Sequence, residues 1–349
     1  MMATEAEANK TLKFHQVKLF DNYNLAKLSV VPKLDSSDKP TTDWLIEAGV
    51  ISLAVQANAS AQSAGLAENV PNELFIPDQN GQLTAQSVTV RIVEVGEIRT
   101  VAHLVANEDP SSVDLLSYKN RVRPVNGGNS VGNARYNDAG TFGSVVKLRS
   151  DDANRYFISC WHVLAGGSGV TGDALIQPGR LDGGFSSVDI IGTLYWFLLN
   201  DDFDVALGLV SNPWQKVVTP GYRGFSRFGT IPVSPVVQKP VTKCGRTTEV
   251  TTGTILSTNT SVRVAGYPTG TRLFLNQIET TVMSQPGDSG SILFHSAEMA
   301  PVGLLFAGGQ TRSYHNNLKV LFDTQFGKRR VVTQSGIDIE LPEVIFDGL

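Results

Sequence analysis

Apolar residues in this chain recur mostly in runs of strand length between glycine-rich turns, and sustained helical periodicity is scarce. From residue 141 onward the runs fall at 141–148, 156–163, 189–199, 204–210, 251–257, 261–265, 274–282, 291–294 and 302–306. Strands spaced this way, with no helix between them, predict an antiparallel barrel or sandwich. Near the end, Leu318, Leu321, Phe322 and Gln325 lie at helical spacing, which predicts a helix over 317–326 capped by Gly327. Upstream, 48–55 is an apolar run of strand length, with a short buried helix as the alternative. Residues 87–95 alternate, with Val88, Val90 and Ile92 on one face and Thr89 and Arg91 on the other. The first 40 or so residues are polar, with Pro32 and 35–40 reading as loop, and 106–140 are rich in turn-formers, which suits a connection between domains.

Composition narrows this picture. The 349 residues allow two ordinary domains, and 41% hydrophobic with 18% charged residues is a globular balance. A formal net charge of -4 argues against a nucleic-acid partner. Two cysteines, Cys160 and Cys244, are few for a secreted domain of this size and point to a reducing compartment. The N-terminal stretch lacks signal-peptide character and no run is long enough to span a membrane, so the expectation is a cytoplasmic protein without a membrane partner. No metal-ligand spacing is present and no cofactor is implied.

Chemistry concentrates in three places. In Ser284-Gln-Pro-Gly-Asp-Ser-Gly-Ser291, Gly287 allows a sharp turn that lets the N–H groups of Gly287 and Ser289 converge, as an oxyanion hole requires. A serine exposed at such an apex is a nucleophile once a base activates it. His162 is the base candidate, at the end of an apolar strand, and the other four histidines have poorer contexts. Asp204 abuts an apolar strand that would bury it, so it can orient the imidazole, whereas Asp201 and Asp202 read as solvated. The order His162, Asp204, Ser289 is the chymotrypsin-type order. Cys160 invites a cysteine-nucleophile reading, since strand alternation puts it on the same face as His162. A buried small hydrophobe is the favoured alternative.

These motifs resemble those of the trypsin-like serine proteases: Cys160-Trp-His-Val, Phe203-Asp-Val-Ala-Leu and Gly287-Asp-Ser-Gly look like the histidine, aspartate and serine motifs. The resemblance covers about 126–326. It implies a mainly β, chymotrypsin-like pair of six-stranded antiparallel barrels with the triad in the cleft between them and a C-terminal helix. Within that family, Arg123-Pro-Val-Asn-Gly-Gly-Asn-Ser-Val-Gly132, Gly245-Arg-Thr-Thr248 and Gly303-Leu-Leu-Phe-Ala-Gly308 are similar to a non-secreted branch. That branch includes the plant narrow-leaf protein and bacterial homologues, and it implies a smaller α+β N-terminal domain over 1–125. Residues 327–349 then form a tail.

The resemblance also places Met283 at the base of the S1 pocket and Ala307 and Gly308 on its flanking strand, which implies an apolar P1 preference. Secreted relatives pair a newly cut N-terminus with the aspartate before the serine. Asp288 is present here, but no cleavable start precedes the domain. The alternating tail segment 336–346 can add to a neighbouring molecule, lie along the cleft, or pack on its own domain. The expected function is a serine endopeptidase acting on a specific polypeptide, with a catalytically weak binding scaffold as the alternative and homo-oligomer formation left open.

Overall fold

The computed structural model describes residues 3–23, 25–51, 70–100, 117–149, 151–326, 328–332 and 338–348, with 328–332 and 338–342 described by backbone alone. The expected stretch 52–55, His103 and the Gly327 cap lie outside the described residues.

Two sheets carry the molecule. In the first, the strands Ser144–Leu148, Asp151–Ser159, Asp204–Val210, Ile190–Leu199, Ala174–Ile176 and Ser130–Asn133 follow one another edge to edge. In the second, Pro240–Gly245, Ile292–His295, Ala300–Gly308, Arg312–Asn317, Gly270–Thr281 and Glu249–Tyr267 do the same. Pro240–Gly245 pairs back onto Glu249–Tyr267, so this ring closes. The chain is thus a mainly β protein with a chymotrypsin-like double barrel. A short helix, Leu318–Thr324, follows the second barrel and is capped at its start by the Asn317 side chain. The expected strands 251–257 and 261–265 are one strand, Glu249–Tyr267, whose register shifts let it bend along two partners.

The polar N-terminal leader carries a helix, and the expected loop at 35–40 is the turn between Leu25–Leu34 and Pro40–Val50. Thr4 and Glu7 form a reciprocal capping box that satisfies the first-turn N–H groups of Glu5–Asn22. Ala8, Leu12, Leu19 and Phe20 form one buried face, packed on Leu28, Val30, Ile46, Ala48, Val88 and Val90 of the strands beneath. Those strands are not an isolated sheet. Leu25–Leu34 pairs with Glu249–Tyr267 on one side and with Pro40–Val50 on the other, so the N-terminal sheet continues the second barrel. Leu83–Glu94 then runs parallel to Pro40–Val50, with Val88 and Val90 buried as the alternation requires.

A buried charge cluster crosses that seam. Lys27 donates to Glu47 at 2.8 Å and to Glu279, while Ser29, Thr260 and Arg312 also bond Glu279. Arg91 holds the second oxygen of Glu47 at 3.1 Å.

The tail packs on its own domain. Val344–Phe346 adds antiparallel to the edge of Ser144–Leu148, Phe346 stacks on Phe322, and Asp347 pairs with buried Arg155 at 2.6 Å. The burial of Phe346 and Asp347 decides this among the three placements the alternation allowed.

Because Lys27 is fully buried between two carboxylates, Lys27→Ala leaves buried negative charge short of its partner. It is expected to destabilise the fold by about 3–5 kcal/mol. Urea unfolding measures this, and a loss below about 1 kcal/mol would contradict it.

Candidate active site

The strand Asp151–Ser159 ends at the cleft and Trp161–Leu164 makes a single helical turn. His162 therefore sits on a turn, not on the expected strand. The reason is a tertiary contact: its backbone N–H is accepted by Asp204 Oδ1 at 3.2 Å, which takes it out of any ladder. The same carboxylate accepts from the ring, with His162 Nδ1 2.6 Å from Asp204 Oδ2. The opposite ring nitrogen, Nε2, is buried with no hydrogen-bond partner among the described residues.

Asp204 begins its strand and is fully buried. Its N–H is held by Asn316 Oδ1 at 3.0 Å, and the Tyr267 hydroxyl donates to its Oδ2. Burial and the Asp204 charge push the Tyr267 phenol well above its ordinary value, so it remains a donor. Tyr267 also meets the His162 ring edge-on, with centroids 6.1 Å apart. A carboxylate bound on both oxygens fixes the imidazole tautomer with its proton on Nδ1 and leaves Nε2 as a base.

Ser289 occupies the turn between Gly270–Thr281 and Ile292–His295 of the second barrel. Gly287 has φ of +99°, a conformation that strains residues carrying a Cβ, and an added Cβ there would also strike Arg246 and Thr247. Thr141 Oγ1 donates to the Gly287 carbonyl at 2.9 Å, and Thr141 N–H donates to the Ser289 carbonyl at 2.7 Å. With the carbonyls engaged, the N–H groups of Gly287 and Ser289 have no acceptor among the described residues. The histidine and serine segments meet at shared neighbours. Gly290 N–H and Cys160 Sγ both donate to the Leu305 carbonyl, at 2.8 Å and 3.1 Å. Gly140 lies closely packed between the Val163 side chain and the Ser289 carbonyl.

Ser289 Oγ itself points to the Phe306 carbonyl at 3.5 Å, and no hydrogen bond joins it to His162. The hydroxyl is also fully buried, where the turn pattern predicts exposure. The segments carrying His162 and Ser289 thus meet at Leu305, while the Ser289 hydroxyl is bonded to Phe306.

Asp288, beside the nucleophile candidate, is the most heavily bonded carboxylate here. It accepts from Thr247 N (2.8 Å), Thr248 N (3.1 Å), Thr248 Oγ1 (2.6 Å), Gln285 N (3.0 Å) and Lys243 Nζ (3.1 Å). Lys243 and Asp288 are both fully buried. Burial pulls the Lys243 ammonium below the ordinary lysine value, and Asp288 pushes the other way. An internal lysine thus supplies the cation paired with Asp288. Lys243, Tyr267 and Asn316 escaped sequence reasoning. Only Lys243 carries a signal, being a charged residue in the otherwise inward-reading Val241-Thr-Lys-Cys244.

Met283 packs with Val241, Ile255, Ile278, Leu293 and Val302 inside the second barrel. Ser284 and Ser313 lie next to Gly308: their hydroxyls bond each other at 2.7 Å, and the Cα of Gly308 faces the Ser284 hydroxyl. Ala307 and Gly308 end the strand Ala300–Gly308.

Cys160, His162 and Asp204 offer ligand atoms within 4.8 Å of one another. However, His162 Nδ1 is committed to Asp204, and burial pushes the Cys160 thiol well above its ordinary value, which keeps it a weak donor. Cys160 and Cys244 are both free and buried.

Comparison with solved structures finds chymotrypsin-fold serine proteases. A glutamic-acid-specific serine protease is 20% identical over 56% of this chain and 96% of its own, with a TM-score of 0.42. Thermobifida fusca protease A is 22% identical over 57% of this chain and 94% of its own, also at 0.42. A Cellulomonas bogoriensis chymotrypsin is 22% identical over 56% and 93%, at 0.40. No protein-family model matches the chain, and no curated protein matches it in sequence.

The Lys243–Asp288 pair has a measurable consequence. Lys243→Met removes the buried counter-charge and is expected to cost about 3–5 kcal/mol in urea unfolding. A change within about 0.5 kcal/mol would show that the four neutral donors suffice.

Proposed function

We propose that this chain is a serine endopeptidase that forms an acyl-enzyme on Ser289. The observation that carries the reading is the His162 ring, held by Asp204 through Nδ1 at 2.6 Å while buried Nε2 lacks a partner. A buried ring nitrogen left unpaired is costly unless a reacting group completes it.

In the reaction, the Ser289 hydroxyl swings from the Phe306 carbonyl toward His162 Nε2 and loses its proton to it as Oγ bonds the acyl carbon. Asp204, braced by Tyr267 and Asn316, stabilises the imidazolium. The N–H groups of Gly287 and Ser289 take the developing oxyanion. His162 then protonates the leaving amine, and water, deprotonated by the same nitrogen, releases the acid.

The Lys243–Asp288 pair supports a catalytic turn that forms without activation cleavage. We assign Ala307, Gly308, Ser284 and Ser313 to the acyl-side pocket; all are uncharged, which favours an uncharged P1 residue. Two free buried thiols fit a reducing, cytoplasmic setting. Among the described residues no helix is long and apolar enough to cross a membrane.

One observation favours the second reading, a protease-like scaffold: the Ser289 hydroxyl is bonded away from His162. A fluorophosphonate probe separates the two. Labelling of Ser289 is expected, with its loss in Ser289→Ala and a fall of at least 100-fold in His162→Ala; absent labelling of the wild-type chain favours the scaffold. For specificity, a peptide-library profile should show uncharged P1 residues. A profile dominated by Arg, Lys or Glu overturns the pocket assignment.

A further inference from the structure

The edge of the strand Ala300–Gly308 is filled by three successive pieces of chain. Ile292–His295 pairs along Ala300 to Leu304. Next comes the nucleophile turn, with Gly290 N–H on the Leu305 carbonyl and Ser289 Oγ against the Phe306 carbonyl. Beyond it, opposite Ala307 and Gly308, lie Thr100 and Arg99 in antiparallel register. The other edge of Ala307 and Gly308 is closed by Tyr314 and Ser313. The main-chain edge immediately beside the serine is therefore held by this chain's own segment.

The direction of that segment matters. Arg99 faces Gly308 and Thr100 faces Ala307, so the segment advances toward Phe306 and hence toward Ser289. An extended peptide delivering its carbonyl to Ser289 needs a main-chain edge to lie on, and strand addition supplies one. Thr100 also joins His162, Trp161, Val163, Tyr136, Asp138 and others in lining a depression of about 240 Å³. Its hydroxyl fills the space over Gly266, whose φ is +100°. The segment is seated from the far side too, since the Ile98 carbonyl accepts from Ala265 N–H at 2.9 Å and Ile98 is buried. Yet only two residues make the pairing with Ala307 and Gly308, and Arg99 is half-exposed with an ion pair to equally exposed Glu97. A contact of that size can be displaced.

Resting on the protease reading, we propose that Arg99–Thr100 is an internal substrate-like strand that occupies the peptide-docking edge at Ala307–Gly308. An incoming extended polypeptide docks by displacing it. The burial of Ser289 fits such a self-occupied cleft. Apparent affinity for a peptide is then lowered by the fraction of molecules whose edge is taken.

The test uses the full chain and two reagents. A small fluorophosphonate needs no strand edge; a fluorogenic tetrapeptide with an apolar P1 residue does. Thr100→Pro removes a backbone donor and disfavours the paired conformation of Arg99. The expected result is an unchanged fluorophosphonate labelling rate with at least a tenfold higher kcat/KM for the tetrapeptide, mainly through KM. Equal labelling with unchanged or lower kcat/KM overturns the internal-strand proposal and leaves the protease reading standing. Failure of both chains to label overturns the protease reading itself.

Should Thr100→Pro not fold, hydrogen exchange on the wild-type chain decides. A tetrapeptidyl phosphonate bound to Ser289 should speed exchange of the amides of residues 98–100, while the small fluorophosphonate should not. Unaltered protection with the peptidyl reagent bound overturns the proposal.

Discussion

A carboxylate taken out of water must be matched by donors, and Asp288 imposes that condition on the centre of this molecule. Its five donors come from the Lys243 side chain, from Thr247 and Thr248 on the turn that follows it, and from Gln285 on the nucleophile loop itself. Meeting the condition fixes the loop 285–289, turns the Gly287 and Ser289 N–H groups free of internal acceptors, and sets the hydroxyl between the barrels. The surrounding bonds extend the constraint across the cleft. Thr141 from the first barrel braces the carbonyls of Gly287 and Ser289, and Arg246 from the second grips Asp182 in the first, with one bond of 2.6 Å. Displacing the loop would leave a buried charge short of donors, an expensive state. Rigidity at this point thus follows from electrostatics more than from hydrophobic packing.

The second carboxylate, Asp204, works by the same rule with a different outcome. It too is fully buried, but its donors are a histidine ring, that histidine's own N–H and a phenol. Where Asp288 holds a backbone turn, Asp204 orients the His162 ring. The two barrels divide these tasks: the histidine and Asp204 belong to the first, the serine turn and its Lys243 counter-charge to the second. The site exists only where their faces meet.

Much of this was legible in the sequence, and the misses have physical causes. The barrel strands were visible because alternation survives wherever one face is buried, and Asp204 stood out because it opens an apolar run. The N-terminal helix was missed because its buried positions, Ala8, Leu12, Leu19 and Phe20, are thinly spread among polar residues; the capping pair Thr4 and Glu7 was the readable signal. The turn at His162 was hidden because it depends on a hydrogen bond to a residue 42 positions away. The packing of Met283 among Val241, Ile255 and Leu293 was not readable either, because those partners come from separate strands of the barrel. Tyr267 and Asn316 reach Asp204 only through tertiary contact, and nothing local marks them.

The position of Arg99–Thr100 was beyond sequence reasoning for the same reason, and its placement follows from the N-terminal unit being anchored to the barrel. Continuous pairing of Leu25–Leu34 with Glu249–Tyr267, locked by the Lys27 cluster, fixes where the parallel strand Leu83–Glu94 must end. Val95 and Ile98 then bury against the main core, which carries the next two residues to the edge beyond Phe306. A strongly held sheet therefore delivers a weakly held pair of residues to the mouth of the cleft. That gradient is what a displaceable occupant requires: firm anchoring keeps its local concentration high, and a short pairing keeps the cost of exchange low.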